Sequence, residues 1–144
     1  MEPAAARLSG SALLALQRAT HAILHLLAAE LVDLDLTASG INALANLADG
    51  RARTVSELGA AVGVRPTTLT SVLDRLERRE YITRGSRRGD RRVVVIELTA
   101  SGKQSAATIG RAFSGLERRA LRDLSPAAVD GFHAVLRALT EVAR

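Results

Sequence analysis

The feature that most constrains the fold is the order in which helix, turn and strand signals follow one another between residues 54 and 99. A short amphipathic helix beginning at Thr54 ends at Gly63, and a second helix begins at Arg65-Pro66. Glycine suits the left-handed end of a helix, and proline suits a first helical position because its missing N–H has no partner there anyway. Two β-branched runs, 81–84 and 93–98, follow on either side of a long, basic, Gly-bounded loop. The sequence therefore predicts a helix-turn-helix followed by a β-hairpin wing.

Helical periodicity extends on both sides of this segment. Apolar spacing predicts one helix over 11–34, a second that is capped by Thr37, and two more that begin at Thr99 and Ser125. We therefore expect a mainly α fold with six helices and one small hairpin, in a single domain of residues 1–144. The first helix has more apolar surface than one side of a small domain needs, so burial against a partner is expected.

Composition narrows the class of protein. The 144 residues are 47% hydrophobic and 24% charged, as in an ordinary soluble globular domain. Aromatic residues make up 2%, which removes the stacking platforms that single-strand and RNA binders use. The chain has no cysteine, so disulfides and thiolate metal sites are excluded. No segment forms the run of about 18 apolar residues that spans a membrane. Residues 1–10 lack a signal-peptide pattern and are expected to form a short frayed tail.

Positive charge is concentrated in the middle of the chain. Residues 51–92 hold 11 arginines and 5 acidic residues, whereas the net charge of the whole chain is +5. A basic patch between nearly neutral flanks predicts a polyanionic partner met by one surface. The alternative is a solvated arginine-rich face in a chain whose single lysine is Lys103.

The second helix of the helix-turn-helix has the side chains that a DNA major groove requires. One face is apolar, and the other carries short polar side chains that allow close approach, together with long donors. Capping of the helix start is the alternative use of threonine and serine, but four such residues in five positions exceed what capping needs. The predicted groove contacts are Arg65, Thr67, Thr68, Thr70, Ser71 and Arg75.

The loop of the hairpin predicts a second contact with DNA. A thin loop tipped with arginine suits the minor groove, which is narrow and strongly negative. Asp90 is expected to pair with a neighbouring arginine and to fix the shape of the loop. The predicted wing contacts are Arg84, Arg87, Arg88, Asp90, Arg91 and Arg92.

These residues resemble the MarR family of bacterial transcription regulators. The resemblance rests on Leu36-Thr37, on residues 54–58 and 69–79, and on Asp90-Arg91-Arg92 followed by residues 98–102. It implies a DNA-binding lobe over 36–100 and a homodimer in which helices of 11–34 and 101–143 interlock. It also implies that Asp90 and Arg92 are the family's Asp-x-Arg wing pair, with Arg92 in the minor groove. Such a regulator is expected in the cytoplasm.

The chain departs from the family pattern just after the recognition helix. Family members usually have glycine where this chain has Glu80. That glycine would end the helix in a left-handed conformation, to which glutamate is less suited. A different end of the helix is therefore one expectation for this chain.

The first helix carries candidate residues for a ligand site or a metal site. His21 and His25 lie four residues apart and hence on one helical face. Zinc sites need three or four ligands, and only His133 and scattered acidic residues could complete one, so a metal site is the less favoured reading. The favoured reading is a polar flank of a ligand cleft, formed by Arg18, His21, His25 and Asn42. No phosphate-binding loop or nucleophile motif is present, so we predict neither an enzyme nor a cofactor.

The sequence thus predicts a homodimeric repressor that binds a pseudo-palindromic site in double-stranded DNA and is released by a small molecule. The ligand-dependent part comes only from the family resemblance. The alternative is a winged helix that binds another protein and does not read DNA, against which the Thr/Ser face and the arginine wing argue.

Overall fold

The computed structural model describes residues 8–144, so most of the predicted N-terminal tail lies outside the described residues. The helices are α1 (Ala12–Glu30), α2 (Ala38–Leu47), α3 (Val55–Val62), α4 (Pro66–Arg78), α5 (Ala100–Leu121) and α6 (Pro126–Val142). The strands are β1 (Arg53–Thr54), β2 (Ile82–Arg87) and β3 (Asp90–Leu98). The predicted mainly α winged helix-turn-helix is confirmed. The chain divides into two compact units, one up to Ala112 and the other from Phe113 to Arg144.

Short side chains at the helix starts explain why the helices begin where they do. The hydroxyl oxygens of Thr37 and Ser125 accept hydrogen bonds from backbone N–H groups of the first turns of α2 and α6. Thr54 and Glu57 form a reciprocal capping box at the start of α3, and Gly63 ends that helix with a φ of 71°. The sharp turn between α3 and α4 is therefore specified by local residues, as predicted.

The end of α1 differs from the prediction. The helix stops at Glu30 and not near Leu34, and residues Val32–Leu34 form a 3₁₀ turn. Asp35 then adopts a left-handed conformation with a φ of 48°, which a short polar side chain tolerates better than most. This tight turn leads the chain into the extended Thr37 that caps α2.

The sheet is longer than predicted and has one more strand. Strand order is β1-β3-β2, with Arg53 opposite Ile96 in the first pair and Ile82 opposite Leu98 in the second. The predicted basic loop over 85–92 is wrong, because both strands continue into it and leave only Arg88-Gly89 as the turn. The pairing runs without a break from Ile82 opposite Leu98 to Ser86 opposite Val94 and then shifts, so that Arg87 lies opposite Asp90, while the basic side chains remain in solvent.

The core of the first unit packs the helix-turn-helix against the sheet. The largest fully buried side chains are Leu44, Leu47, Leu58, Leu69, Leu73, Leu76, Ile82, Ile96 and Ile109. Leu69, Leu73 and Leu76 lie on one face of α4, which leaves the opposite face of that helix in solvent. The buried row thus determines which side chains of α4 another molecule can reach.

Large apolar side chains remain exposed in both units. In α1, Leu13 is 53% exposed and Leu24 is 41% exposed, and only Leu27 of that helix is buried. In the second unit, Phe132 and Val135 of α6 are 50% and 51% exposed, and none of residues 113–144 is buried. Against the expectation from sequence, α1 is long and apolar enough, by length and composition alone, to cross a membrane.

Candidate nucleic-acid interface

The exposed face of α4 is short, polar and free near its N-terminus. Thr67, Thr68 and Ser71 are exposed, and in the described part of the chain their hydroxyls are in no hydrogen bond. The helix is capped at Arg65 without a side-chain hydrogen bond, so these residues are not used as caps. Their donors and acceptors are therefore available to a partner that lies along the helix.

Thr70 differs from its neighbours. Its hydroxyl donates a hydrogen bond of 3.0 Å to the Pro66 carbonyl, one turn back along α4. The side chain is exposed, and since its single proton is used inside the helix, it offers a partner only its methyl group and an acceptor lone pair. Thr70 can therefore contact a thymine methyl or accept a hydrogen bond, but it cannot donate one in this rotamer.

The wing projects a row of guanidinium groups from a two-residue turn. Gly89 has a φ of 89°, a left-handed conformation that glycine adopts without a steric cost. The pairing shifts between Ser86 and Arg87, so that Arg87 lies opposite Asp90 at the tip. Among residues 8–144, no protein group is paired with the side chains of Arg88, Arg91 and Arg92, all of which are exposed. These three cations are available for a polyanion.

Asp90 shapes the tip through the backbone. Its carboxylate accepts a hydrogen bond of 2.9 Å from the backbone N–H of Arg92. We expected Asp90 to pair with an arginine side chain, and in the structure it holds the main chain of Arg92 instead. The guanidinium of Arg92 therefore stays free while its backbone is fixed.

Arg87 contributes to the electrostatics at the start of α3. The pKa of Glu57 is lowered first by its hydrogen bond from the Thr54 backbone N–H, and to a smaller extent by the positive charge of Arg87. The carboxylate of Glu57 is already engaged as a cap, because it accepts a hydrogen bond of 2.8 Å from the Thr54 backbone N–H.

Arg84 is held by the protein itself. Its Nε donates to Glu77 Oε2 at 2.8 Å, and one of its terminal nitrogens donates to Asp74 Oδ1 at 2.7 Å. The pKa of Arg84 is raised by the two carboxylates, Glu77 first, and the pKa of Glu77 is lowered chiefly by its hydrogen bond with Arg84. Arg84 was predicted as a wing contact, but its guanidinium faces α4 and already has two acidic partners.

The residues predicted for a ligand cleft do not line the clefts found in the first unit. Asn42 donates to the Val62 carbonyl at 3.4 Å and accepts from the Asn46 amide at 2.7 Å, so it joins α2 to α3. Arg18, His21 and His25 are exposed on α1 and line none of the described clefts. Within residues 8–144, no three histidine or acidic side chains are grouped as metal ligands.

A cleft that the sequence did not indicate lies between the start of α2 and the C-terminal half of α4. Its volume is about 420 Å³, and its lining comes from Asp35, Leu36, Thr37, Gly40, Val72, Arg75, Leu76, Arg78 and Arg79. Arg79 donates to the carbonyl of Asp35 and stacks 5.2 Å from the centre of the Tyr81 ring. Arg75 borders this cleft and also belongs to the exposed face of α4, so the two surfaces are adjacent.

Comparison with known proteins relates part of the chain to a known family and its fold to several solved structures. Residues 36–94 match the model of the MarR family. No curated protein sequence matches the chain significantly. Among solved structures, the chain is similar to a MarR-family transcriptional regulator from Silicibacter pomeroyi, with a TM-score of 0.86, 24% identity and coverage of 100% of this chain and 97% of that one.

Two further structures show the same fold. One is MepR of S. aureus in a DNA-binding conformation, with a TM-score of 0.85, 20% identity and coverage of 93% of this chain and 99% of that one. The other is BpsR of Bordetella bronchiseptica, whose DNA binding is regulated by 6-hydroxynicotinic acid. It has a TM-score of 0.76 and 23% identity, over 92% of this chain and 94% of that one.

Proposed function

We propose that the protein is a homodimeric transcription regulator, a repressor, that binds double-stranded DNA, on the premise that residues 36–94 match the MarR family model. The observation that carries the proposal is the pairing of two exposed surfaces in one unit. The polar face of α4 suits the major groove, and the unpaired arginines of the wing suit the minor groove. The proposed activity is therefore binding.

The side chains of α4 and of the wing suit different contacts with DNA. Thr67, Thr68, Thr70 and Ser71 are short enough for α4 to approach base edges, with Arg65 and Arg75 as longer donors. Arg88, Arg91 and Arg92 project from a ribbon two strands wide, and their charges have no partner among residues 8–144. Where these arginines contact phosphates they give affinity and position, whereas contacts of α4 with base edges give specificity.

A homodimer is supported by the exposed apolar side chains of α1 and α6. Each of these two helices exposes several large apolar side chains, and a two-fold interface would remove them from water. The proposed dimer presents two copies of α4 and of the wing, which matches a pseudo-palindromic operator with half-sites about one helical turn apart. A second copy also accounts for the apolar composition of α1 without a membrane.

Response to a small molecule is the second part of the proposal. BpsR, which shares the fold, is regulated by 6-hydroxynicotinic acid. In this chain the cleft beside α4 has an apolar floor of Leu36, Val72 and Leu76 and three arginines at its wall, a lining that suits an anion with an apolar body. Occupancy would engage Arg75, which is also a proposed DNA contact, and would so weaken DNA binding. Thermal shift and DNA-release assays with 6-hydroxynicotinic acid and related acids test this part separately.

Salt-dependent binding to duplex DNA tests the proposed function and distinguishes it from a protein-binding winged helix. Phosphate contacts from both subunits predict a loss of affinity on the order of 10³-fold between 50 and 200 mM salt. Arg92→Ala should weaken binding by about 1–3 kcal/mol while the protein remains dimeric. Arg122→Ala is the matched control, since it removes an arginine that is ion-paired with Asp123 and lies far along the chain from the wing. Absent or salt-independent binding would favour a protein partner.

A further inference from the structure

We propose that Arg84 is a positioning residue that holds the wing against α4, and that it does not itself contact DNA. The inference rests on the proposed function, because it states how the two DNA-binding surfaces are kept at a fixed separation. Its basis is the ion-pair cluster formed by Arg84, Asp74 and Glu77, which we call the wing brace. This role differs from the contact with DNA that the sequence predicts for Arg84.

In the wing brace, two of the three guanidinium nitrogens of Arg84 donate hydrogen bonds to carboxylates. Arg84 Nε and one terminal nitrogen reach the two oxygens of Glu77 at 2.8 and 3.3 Å, and that terminal nitrogen also reaches Asp74 at 2.7 Å. Such a forked contact is stronger and more directional than a single ion pair. The Arg84 side chain is 30% exposed, so it is less accessible than a free surface arginine.

The strand register explains why Arg84 faces α4. Side chains alternate between the two faces of a strand, so Arg84 lies on the same face as the buried Ile82. Arg84 is also opposite Ile96 of β3, which is completely buried. On this face of β2, Ile82 is buried in the core and Arg84 comes next. Arg84 therefore lies beside Asp74 and Glu77, the acidic residues of α4.

The carboxylates of α4 need this partner if the helix is to lie along DNA. Asp74 and Glu77 are 47% and 43% exposed on the recognition helix, and unpaired they would place two negative charges close to phosphates. Pairing with Arg84 offsets that repulsion. In the described part of the chain, every side-chain hydrogen bond between the wing and α4 comes from Arg84. The brace is thus the polar link that ties the position of Arg92 to that of the groove-facing residues.

A double-mutant cycle on DNA affinity tests the inference. Arg92→Ala should weaken binding about tenfold in the wild-type background and less than about threefold in the Arg84→Met background, because an unbraced wing no longer delivers Arg92 to the groove. The control cycle pairs Arg84→Met with Arg65→Ala at the start of α4, where the two losses should multiply. Equal losses from Arg92→Ala in both backgrounds would overturn the positioning role.

A second variant distinguishes positioning from direct contact. Asp74→Asn with Glu77→Gln leaves Arg84 in place but without its acidic partners. Positioning predicts that the loss caused by Arg92→Ala shrinks in this background as well, with faster amide hydrogen exchange in residues 85–94. A direct contact by Arg84 predicts an unchanged loss and unchanged exchange, and would overturn the inference. Failure of the wild-type protein to bind any duplex would instead overturn the proposed function, so the two failures are distinguishable.

Discussion

Gly102 lies against the backbone of Tyr81 so closely that a Cβ on residue 102 would fall 1.9 Å from the Tyr81 carbonyl oxygen. That carbonyl is already fixed, because it accepts a hydrogen bond of 3.0 Å from the Thr99 backbone N–H. The obstacle is main chain and cannot rotate away. We therefore expect Gly102→Ala to lower the free energy of unfolding by about 1–3 kcal/mol, measured by urea titration at fixed protein concentration.

Gly110→Ala is the matched control in the same helix. In the described part of the chain, no heavy atom outside the local helix backbone lies within 4 Å of a Cβ built at Gly110. Because alanine is a better helix former than glycine, this change should stabilise the protein by about 0.5–1 kcal/mol. Similar effects of the two substitutions would contradict the close approach at Gly102.

Glu80→Gly should stabilise the protein, because Glu80 adopts the left-handed conformation with a φ of 60°. The helix ends as it would with glycine, since the Tyr81 N–H donates to Leu76 and the Glu80 N–H donates to Glu77. Removing the steric cost of a Cβ there should raise the free energy of unfolding by about 1 kcal/mol. Glu80→Ala keeps the Cβ, so it should show no such gain, and an equal gain from both changes would contradict the explanation.

The wing brace predicts a specific dependence of stability on pH. Arg84, through its hydrogen bond, holds the pKa of Glu77 below its ordinary value of 4.5, although the charge of Asp74 acts in the opposite direction. A lowered pKa in the folded state stabilises the protein above the unfolded-state pKa, and this contribution is lost as pH falls through the folded-state value. The difference in urea midpoint between wild type and Glu77→Gln should therefore be constant at neutral pH and shrink below about pH 4.5. A difference that stays constant down to pH 3 would exclude this linkage.

Phe132→Glu should convert the proposed dimer into monomers. The side chain is 50% exposed on α6, where an added charge would have to be desolvated in an apolar interface. Sedimentation velocity should show the monomer mass, and affinity for duplex DNA should fall because two linked half-sites are lost. Arg137→Glu places an acidic residue on the same helix away from the apolar stripe and should leave the dimer intact. An unchanged dimer in Phe132→Glu would show that α6 does not form the interface.

Local signals in the sequence were sufficient to predict where most of the helices begin. Thr37 and Ser125 cap helices as predicted, Thr54 caps the helix that was predicted to begin with it, and Gly63 and Pro66 mark the turn between α3 and α4. These signals work because each depends on hydrogen bonds within a few residues. The exposed, polar face of α4 follows in the same way from the spacing of its apolar residues.

Non-local contacts account for what the sequence did not predict. β1 is two residues long and exists because Arg53-Thr54 pairs with Ile96 and Val95 of β3. Glu80 accepts a left-handed conformation because its carbonyl is also held by the Thr99 hydroxyl. The alternation of side chains along β2 could have placed Arg84 on the same face as Ile82. Its acidic partners on α4, however, become adjacent to it only in the folded chain.

Hydroxyl-radical footprinting of the full chain on the DNA that flanks its own gene tests the central claim most directly. A two-fold dimer should protect two half-sites whose centres lie about one helical turn, roughly 10 bp, apart. Minor-groove protection at the outer flanks should disappear with Arg92→Ala while protection by α4 remains. Protection of one asymmetric half-site, or none at any salt concentration, would contradict a homodimer that reads DNA through α4 and the wing.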